Sequence, residues 1–201
     1  MLRLPSPTDG LRIGVLGGSF DPPHAGHLHI TRWALRAIGL DRVWWLVSPG
    51  NPLKADGPAD LDRRLAACRA LIEDRRIVAS DIERHFGSPY TAHTLAELQR
   101  RAPTARFVWM MGADNLAEFH LWRDWRWIAE SFDIAVFARP GQQVRGGLSP
   151  VARVYSERRL PPEAAGLLGR GSPGRWTMLP GPMSDLSSTR IRENGGWRRV
   201  T

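Results

Sequence analysis

Short apolar runs alternate along the chain with longer segments of mixed character. Leu11–Leu16, Val43–Val47, Arg76–Ser80, Arg106–Met111 and Asp133–Ala138 are brief, apolar and bounded by turn formers, so each reads as a buried strand. Trp176–Leu179 reads as a last short strand. The segments between them carry helical spacing. Leu28–Ile38 predicts a helix that Gly39 closes. Asp60 reads as the N-cap of a helix through Leu65, Cys68, Leu71 and Ile72. Thr91–Arg101 predicts a helix ended before Pro103, and helical turns follow over Leu116–Phe119 and Trp125–Glu130. Val151–Leu168 reads as part helix and part loop, broken by Pro161-Pro162, and Ser187-Ser188-Thr189 caps a short helix through Glu193. Strands alternating with helices predict an α/β protein: a doubly wound parallel sheet with helices on both faces. Such sheets bind ligands beyond the carboxyl ends of their strands, where the strand order reverses. The Gly17–His27 loop, the Ser48–Lys54 loop, the Gly112–Asp114 turn and Arg139 are expected at that edge.

The first strand-to-helix junction carries the most chemistry. It reads Gly17-Gly18-Ser19-Phe20-Asp21-Pro22-Pro23-His24-Ala25-Gly26-His27-Leu28. A strand, a glycine turn and a helix start form an anion site, because the first backbone N–H groups of a helix lack intrahelical partners. Gly17 and Gly18 are expected to let a phosphate approach the backbone, and the two prolines to stiffen the loop. His24 and His27, three residues apart, share a face of the first helical turn at its positive end. Gly26 between them leaves room for a nucleotide. The loop is neither the dinucleotide fingerprint G-x-G-x-x-G nor a P-loop. Near the other end, Ser187-Ser188-Thr189-Arg190-Ile191-Arg192 places hydroxyls at a helix start, with Arg192 on the face of Thr189 and able to meet the same anion.

Composition narrows the choices. The 201 residues suit one α/β domain, and 42% hydrophobic content supports a core. Residues 1–10 are expected to be a flexible extension, and 184–201 a C-terminal element of the same domain. No leader or membrane-spanning run is visible, so a cytoplasmic protein is expected. The lone Cys68 excludes an intrachain disulfide and reads as packing. The net charge is +8, almost all of it arginine, with Lys54 as the only lysine. The arginines are dispersed, which favours small polyphosphate substrates over nucleic acid. No metal cluster of the HExxH or CxxC kind occurs. An RNA-binding module would need a basic patch interleaved with aromatics, and Trp44, Trp45, Trp125 and Trp127 are spaced for core strands and helices instead. Oligomeric state is open.

The Gly17–Leu28 loop resembles the (H/T)-x-G-H signature of the nucleotidyltransferase superfamily, and Leu186–Arg192 resembles its I-S-S-T-x-I-R element. The middle of the chain is similar to bacterial nicotinate mononucleotide adenylyltransferases. Glu83 and Ser88-Pro89-Tyr90-Thr91 through Thr94-Leu95 look like their E…S-Y-T-x-x-T-L segment. Pro49–Lys54 looks like P-x-N-P-x-K, Gly112-Ala113-Asp114 with Phe119–Trp122 looks like G-x-D-x…F-x-x-W, and Arg139-Pro140-Gly141 looks like R-P-G. Leu53 departs from a common histidine, and Arg123 from a common aromatic.

The resemblance implies a Rossmann-like nucleotidyltransferase fold and transfer of AMP from ATP to nicotinate mononucleotide, giving deamido-NAD and pyrophosphate. It implies His24 and His27 as catalytic residues. Gly17, Gly18, Ser19, Phe20, Asp21, Gly26, Lys54, Ser187, Ser188, Thr189 and Arg192 would bind ATP. Tyr90, Thr91, Asp114, Trp122, Arg123 and Arg139 would bind nicotinate mononucleotide, with Trp122 stacked on the pyridine ring and the Thr91 and Arg123 N–H groups on its carboxylate. Mg²⁺ is expected on the ATP phosphates with no fixed protein ligand set. Phosphopantetheine or nicotinamide mononucleotide remains an alternative acceptor.

Overall fold

The computed structural model describes residues 4–50, 57–138, 149–180 and 188–197. Its strands are β1 (Arg12–Gly18), β2 (Arg42–Val47), β3 (Ile77–Ser80), β4 (Arg106–Gly112), β5 (Asp133–Ala138), β6 (Arg159–Leu160) and β7 (Trp176–Pro180). Its helices are α1 (Ala25–Ala37), α2 (Leu61–Leu71), α3 (Thr91–Arg101), α4 (Ala113–Glu118), α5 (Trp125–Ser131), α6 (Pro150–Val154) and α7 (Ser188–Glu193). Short 3-10 turns occupy Ile82–His85, Phe119–Leu121, Ser156–Arg158 and Pro162–Leu167. The seven strands run in the order β3-β2-β1-β4-β5-β7-β6, with every pairing parallel.

Alternation along each strand divides the interior into two cores, as a sheet covered on both faces requires. On β2, Trp44 and Leu46 enter one core while Val43, Trp45 and Val47 enter the other. On β4, Phe107, Trp109 and Met111 are parted from Val108 and Met110 in the same way. Helices α3, α4, α5 and α6 cover the first face through residues such as Leu95, Leu116, Ile128 and Val151. Helices α1 and α2 cover the second through Leu35, Leu65 and Cys68. Burial drives the Cys68 thiol up to about 12, so it stays protonated and serves as core.

The expected strands are present to within a residue or two. Two differences have physical reasons. Helix α1 begins at Ala25 rather than Leu28, because His24 caps it and the polar first turn belongs to the helix. Strand β6 was not expected, since two residues on a sheet edge carry no hydrophobic period. Of the N-terminal ten residues, Leu4 packs against the first core, and the Ser6 hydroxyl accepts from Trp44 Nε1 at 3.1 Å.

Candidate active site

The strand order reverses between β1 and β4. Beyond their carboxyl ends opens a cleft of about 500 Å³. One wall is the β1–α1 loop. The His24 ring caps α1: its Nδ1 accepts from the Gly26 N–H at 3.2 Å, while His27 Nδ1 accepts from the His24 N–H at 3.2 Å. The two rings lie 4.0 Å apart between centroids. Because each Nδ1 is an acceptor, each neutral ring carries its proton on Nε2. The capping box therefore sets both histidines up as Nε2 donors, next to the positive end of a thirteen-residue helix.

Behind this wall the support is polar and buried. Trp45 Nε1 donates to Thr31 Oγ1 at 2.8 Å, which donates in turn to the His27 carbonyl at 2.7 Å. Phe20, at φ +47°, stacks on Trp45 at 5.0 Å and leans on the His27 ring at 4.8 Å. A non-glycine residue with positive φ is uncommon and needs such over-determined surroundings. Arg64, only 1% exposed, donates to the carbonyls of Ala59 at 2.6 Å, Ser19 at 2.7 Å and Ser48 at 2.8 Å. It thereby ties the β1–α1 loop to the loop after β2. Burial lowers the Arg64 pKa, and the nearby Asp21 charge works against that.

The opposite wall is aromatic and open. Tyr90 precedes α3, whose first residue Thr91 lines the cleft and presents the open N–H groups of a helix start. Trp122 follows the Phe119–Leu121 turn. It meets Phe119 edge-on at 5.3 Å and Trp109 edge-on at 6.3 Å. The Arg123 guanidinium lies 4.9 Å from the Tyr90 ring centroid. Asp124 then takes φ +55° and starts α5. Asp114, in the first turn of α4, also lines the cleft, and a side chain at Gly112 would collide with its carboxylate.

The cleft thus brings together Gly17, Gly18, Ser19, Phe20, Gly26, His24 and His27 with Tyr90, Thr91, Asp114, Trp122, Arg123 and Ser188. Asp21, Thr189 and Arg192 do not line it. Asp21 is fully buried and accepts from Trp197 Nε1, while Arg192 donates to the Asp21 carbonyl and to Thr189 Oγ1. Lys54, Arg139 and Ser187 lie outside the described residues. The expectation for Gly17 changes in kind: an added Cβ would lie 2.5 Å from Trp109 Cη2, so the glycine admits a ring of the protein itself. Trp109, read as core, is core and cleft floor at once. Trp44 and Trp45 are fully buried and Trp125 is partly buried, so these tryptophans form no exposed aromatic row. Among the described residues no three His, Cys, Asp or Glu side chains gather to hold a metal, and no helix is long and apolar enough to cross a membrane.

Sequence reasoning missed three contributors. Glu83 lines the cleft and accepts from Thr94 Oγ1 at 2.9 Å; burial pushes its pKa up to about 7, and that hydrogen bond only partly offsets the rise. The signal was available, because Glu83 stands in the segment that leads to Tyr90-Thr91. Arg64 and Trp197 gave no signal, since one arginine among many and a tryptophan near the last residues look like surface and core.

Comparison with known proteins agrees with this geometry. The cytidylyltransferase-like family model matches residues 15–194. A Ruegeria pomeroyi protein described as a "probable nicotinate-nucleotide adenylyltransferase" is 56% identical over 94% of this chain and 88% of its own length. A Roseobacter denitrificans protein of the same description is 50% identical over 96% of this chain and 97% of its own. The fold is shared with a Plasmodium falciparum nicotinic acid mononucleotide adenylyltransferase complexed with NaAD, at a TM-score of 0.69 and 15% identity, over 91% of this chain and 83% of that one.

Proposed function

Because the chain belongs to the cytidylyltransferase-like family, and within it to the nicotinate-nucleotide adenylyltransferases, we propose that it transfers AMP from ATP to nicotinate mononucleotide, releasing pyrophosphate. An acceptor phosphate oxygen attacks the α-phosphorus of ATP. The bond to the bridging oxygen breaks, and pyrophosphate leaves with the electron pair. The nucleophile is already anionic, so no strong general base is needed, and the work is positioning and charge stabilisation.

His24 and His27 supply Nε2 donors where negative charge moves from the α-phosphate to the leaving group. The N–H groups of Gly18, Ser19 and Phe20 and the start of α1 receive phosphate oxygens. Ser188 enters from the C-terminal segment, and Lys54 adds a cation. Mg²⁺ arrives on the triphosphate and neutralises part of its charge; this chain's own groups contact the phosphate oxygens. On the other wall Trp122 offers a flat face to the pyridine ring, and the Thr91 and Arg123 N–H groups receive the carboxylate. Asp114 and Arg139 hold the rest of the mononucleotide.

The observation that carries this reading is the joining, in one cleft, of the histidine pair with the Tyr90-Thr91 and Trp122 wall. Pyrophosphate release is the test, measured with ATP and nicotinate mononucleotide, its amide, phosphopantetheine or no acceptor. The acid should be preferred over the amide by roughly ten- to a hundredfold, because an amide leaves a buried donor unpaired at about 1–3 kcal/mol. Equal kcat/KM for acid and amide would mean that nothing in this cleft reads the carboxylate.

A further inference from the structure

Trp197 lies past residue 194, where the family match ends. Its indole is nonetheless seated. Nε1 donates to Asp21 Oδ1 at 2.6 Å, and the Arg63 guanidinium stands 4.0 Å from the ring centroid. Asp21 is fully buried in the loop that carries His24. The same carboxylate faces Arg192 at 3.8 Å, Arg192 also donates to the Asp21 carbonyl, and the Ser188 hydroxyl donates to the Pro22 carbonyl at 2.8 Å. Three side chains of the 188–197 segment therefore converge on Asp21-Pro22.

This convergence has a reason. Helix α7 has six residues, well below the roughly 12–15 at which an isolated helix persists in water. Something outside it must fix where Ser188 stands in the cleft. Asp21 is spent on that task, with its oxygens turned to Trp197 and Arg192 and its side chain closed to solvent. We propose that Trp197 is a positioning residue for the nucleotide: through Asp21 it fastens the C-terminal segment across the phosphate loop and so sets the place of Ser188. The proposal rests on the adenylyl-transfer reading for the identity of the nucleotide as ATP.

Trp197→Phe keeps a ring for Arg63 and removes the N–H donor; Trp197→Ala removes both. ATP binding is measured by calorimetry without acceptor, so that no turnover is needed. Trp197→Phe should bind ATP about tenfold more weakly, the worth of one hydrogen bond to a charged group, and nicotinate mononucleotide within twofold of wild type. Combining Trp197→Phe with Asp21→Ala should cost no more than Asp21→Ala alone, because both act through one contact. Limited trypsinolysis gives a readout independent of nucleotide. Cleavage after Arg190 or Arg192, identified by mass, should quicken in Trp197→Phe while the melting temperature stays near wild type. Unchanged cleavage would overturn the fastening, and faster cleavage with unchanged ATP affinity would overturn the positioning role. A wild-type protein that binds no ATP would overturn the adenylyl-transfer reading instead, and the cleavage rates would still decide whether Trp197 fastens the segment.

Discussion

The two walls of the cleft are held in opposite ways. On the phosphate side, buried polar side chains grip backbone: Arg64 takes three loop carbonyls, the two histidines cap α1 through each other, and Asp21 gathers the C-terminal segment. On the acceptor side, aromatic edges meet aromatic edges, and Tyr90, Leu121 and Arg123 stand largely in solvent. The difference follows from what each side must recognise. A triphosphate is read by N–H groups, whose directions must be fixed, and hydrogen bonds to buried carbonyls fix loops in a direction that apolar contact does not. A pyridine ring is read by a flat face, for which packing area is enough.

The comparison breaks most visibly at the histidines. His24→Ala and His27→Ala should each lower kcat about a hundredfold, the roughly 3 kcal/mol of a transition-state donor, with KM for either substrate little changed. Normal turnover in both variants would leave a nucleotide-binding loop without catalytic histidines. Next comes Arg64. Arg64→Met keeps the length of the stem and strips its donors from the Ser19, Ser48 and Ala59 carbonyls. At about 1–3 kcal/mol for a buried group left unpaired, thermal unfolding should fall by on the order of 10 °C and KM for ATP should rise. A wild-type melting curve would show that the phosphate side does not depend on this grip.

The acceptor side should respond more gently. Trp122→Ala removes a stacking face worth about 0.5–1.5 kcal/mol, so acid and amide acceptors should both bind up to about tenfold more weakly, with their ratio preserved. A change in the ratio, followed by kcat/KM for the two acceptors, would mean that the ring and not the neighbouring N–H groups reads the substituent.

How much of this was legible before the structure depends on range. The strands and α3 follow from apolar period and caps, which are local, and the histidine loop follows from a contiguous pattern. The assignment of Asp21 to phosphate came from its neighbours in that loop. The residues that decide its orientation, Trp197 and Arg192, lie more than 170 positions away. Arg64 was hidden for the same reason: its partners belong to two other loops, and no local rule separates a buried arginine from the solvated ones around it. Trp109 shows a milder failure, since a strand residue that faces the core can also floor a cleft when a glycine such as Gly17 opposes it.

Glu83 is the exception on the acceptor side, a polar group held inside the aromatic wall, and it yields the smallest expected effect. Its pKa is raised from an ordinary 4.5 to about 7, first by burial, with the Thr94 hydroxyl pulling the other way. Between those two values the folded protein binds a proton that the unfolded chain releases. Stability from this group is therefore present in full below pH 4.5, declines as the pH rises toward 7, and stays at its lower level above that. Glutamine keeps the carbonyl oxygen that accepts from Thr94 and has no charge to lose. Glu83→Gln should match wild type at pH 4.5 and melt a few degrees higher at pH 8, as thermal unfolding followed across that range would show. An equal difference in melting temperature at both ends would mean that the carboxylate remains ionised in the fold, and that the acceptor wall tolerates a charge facing the carboxylate it is proposed to bind.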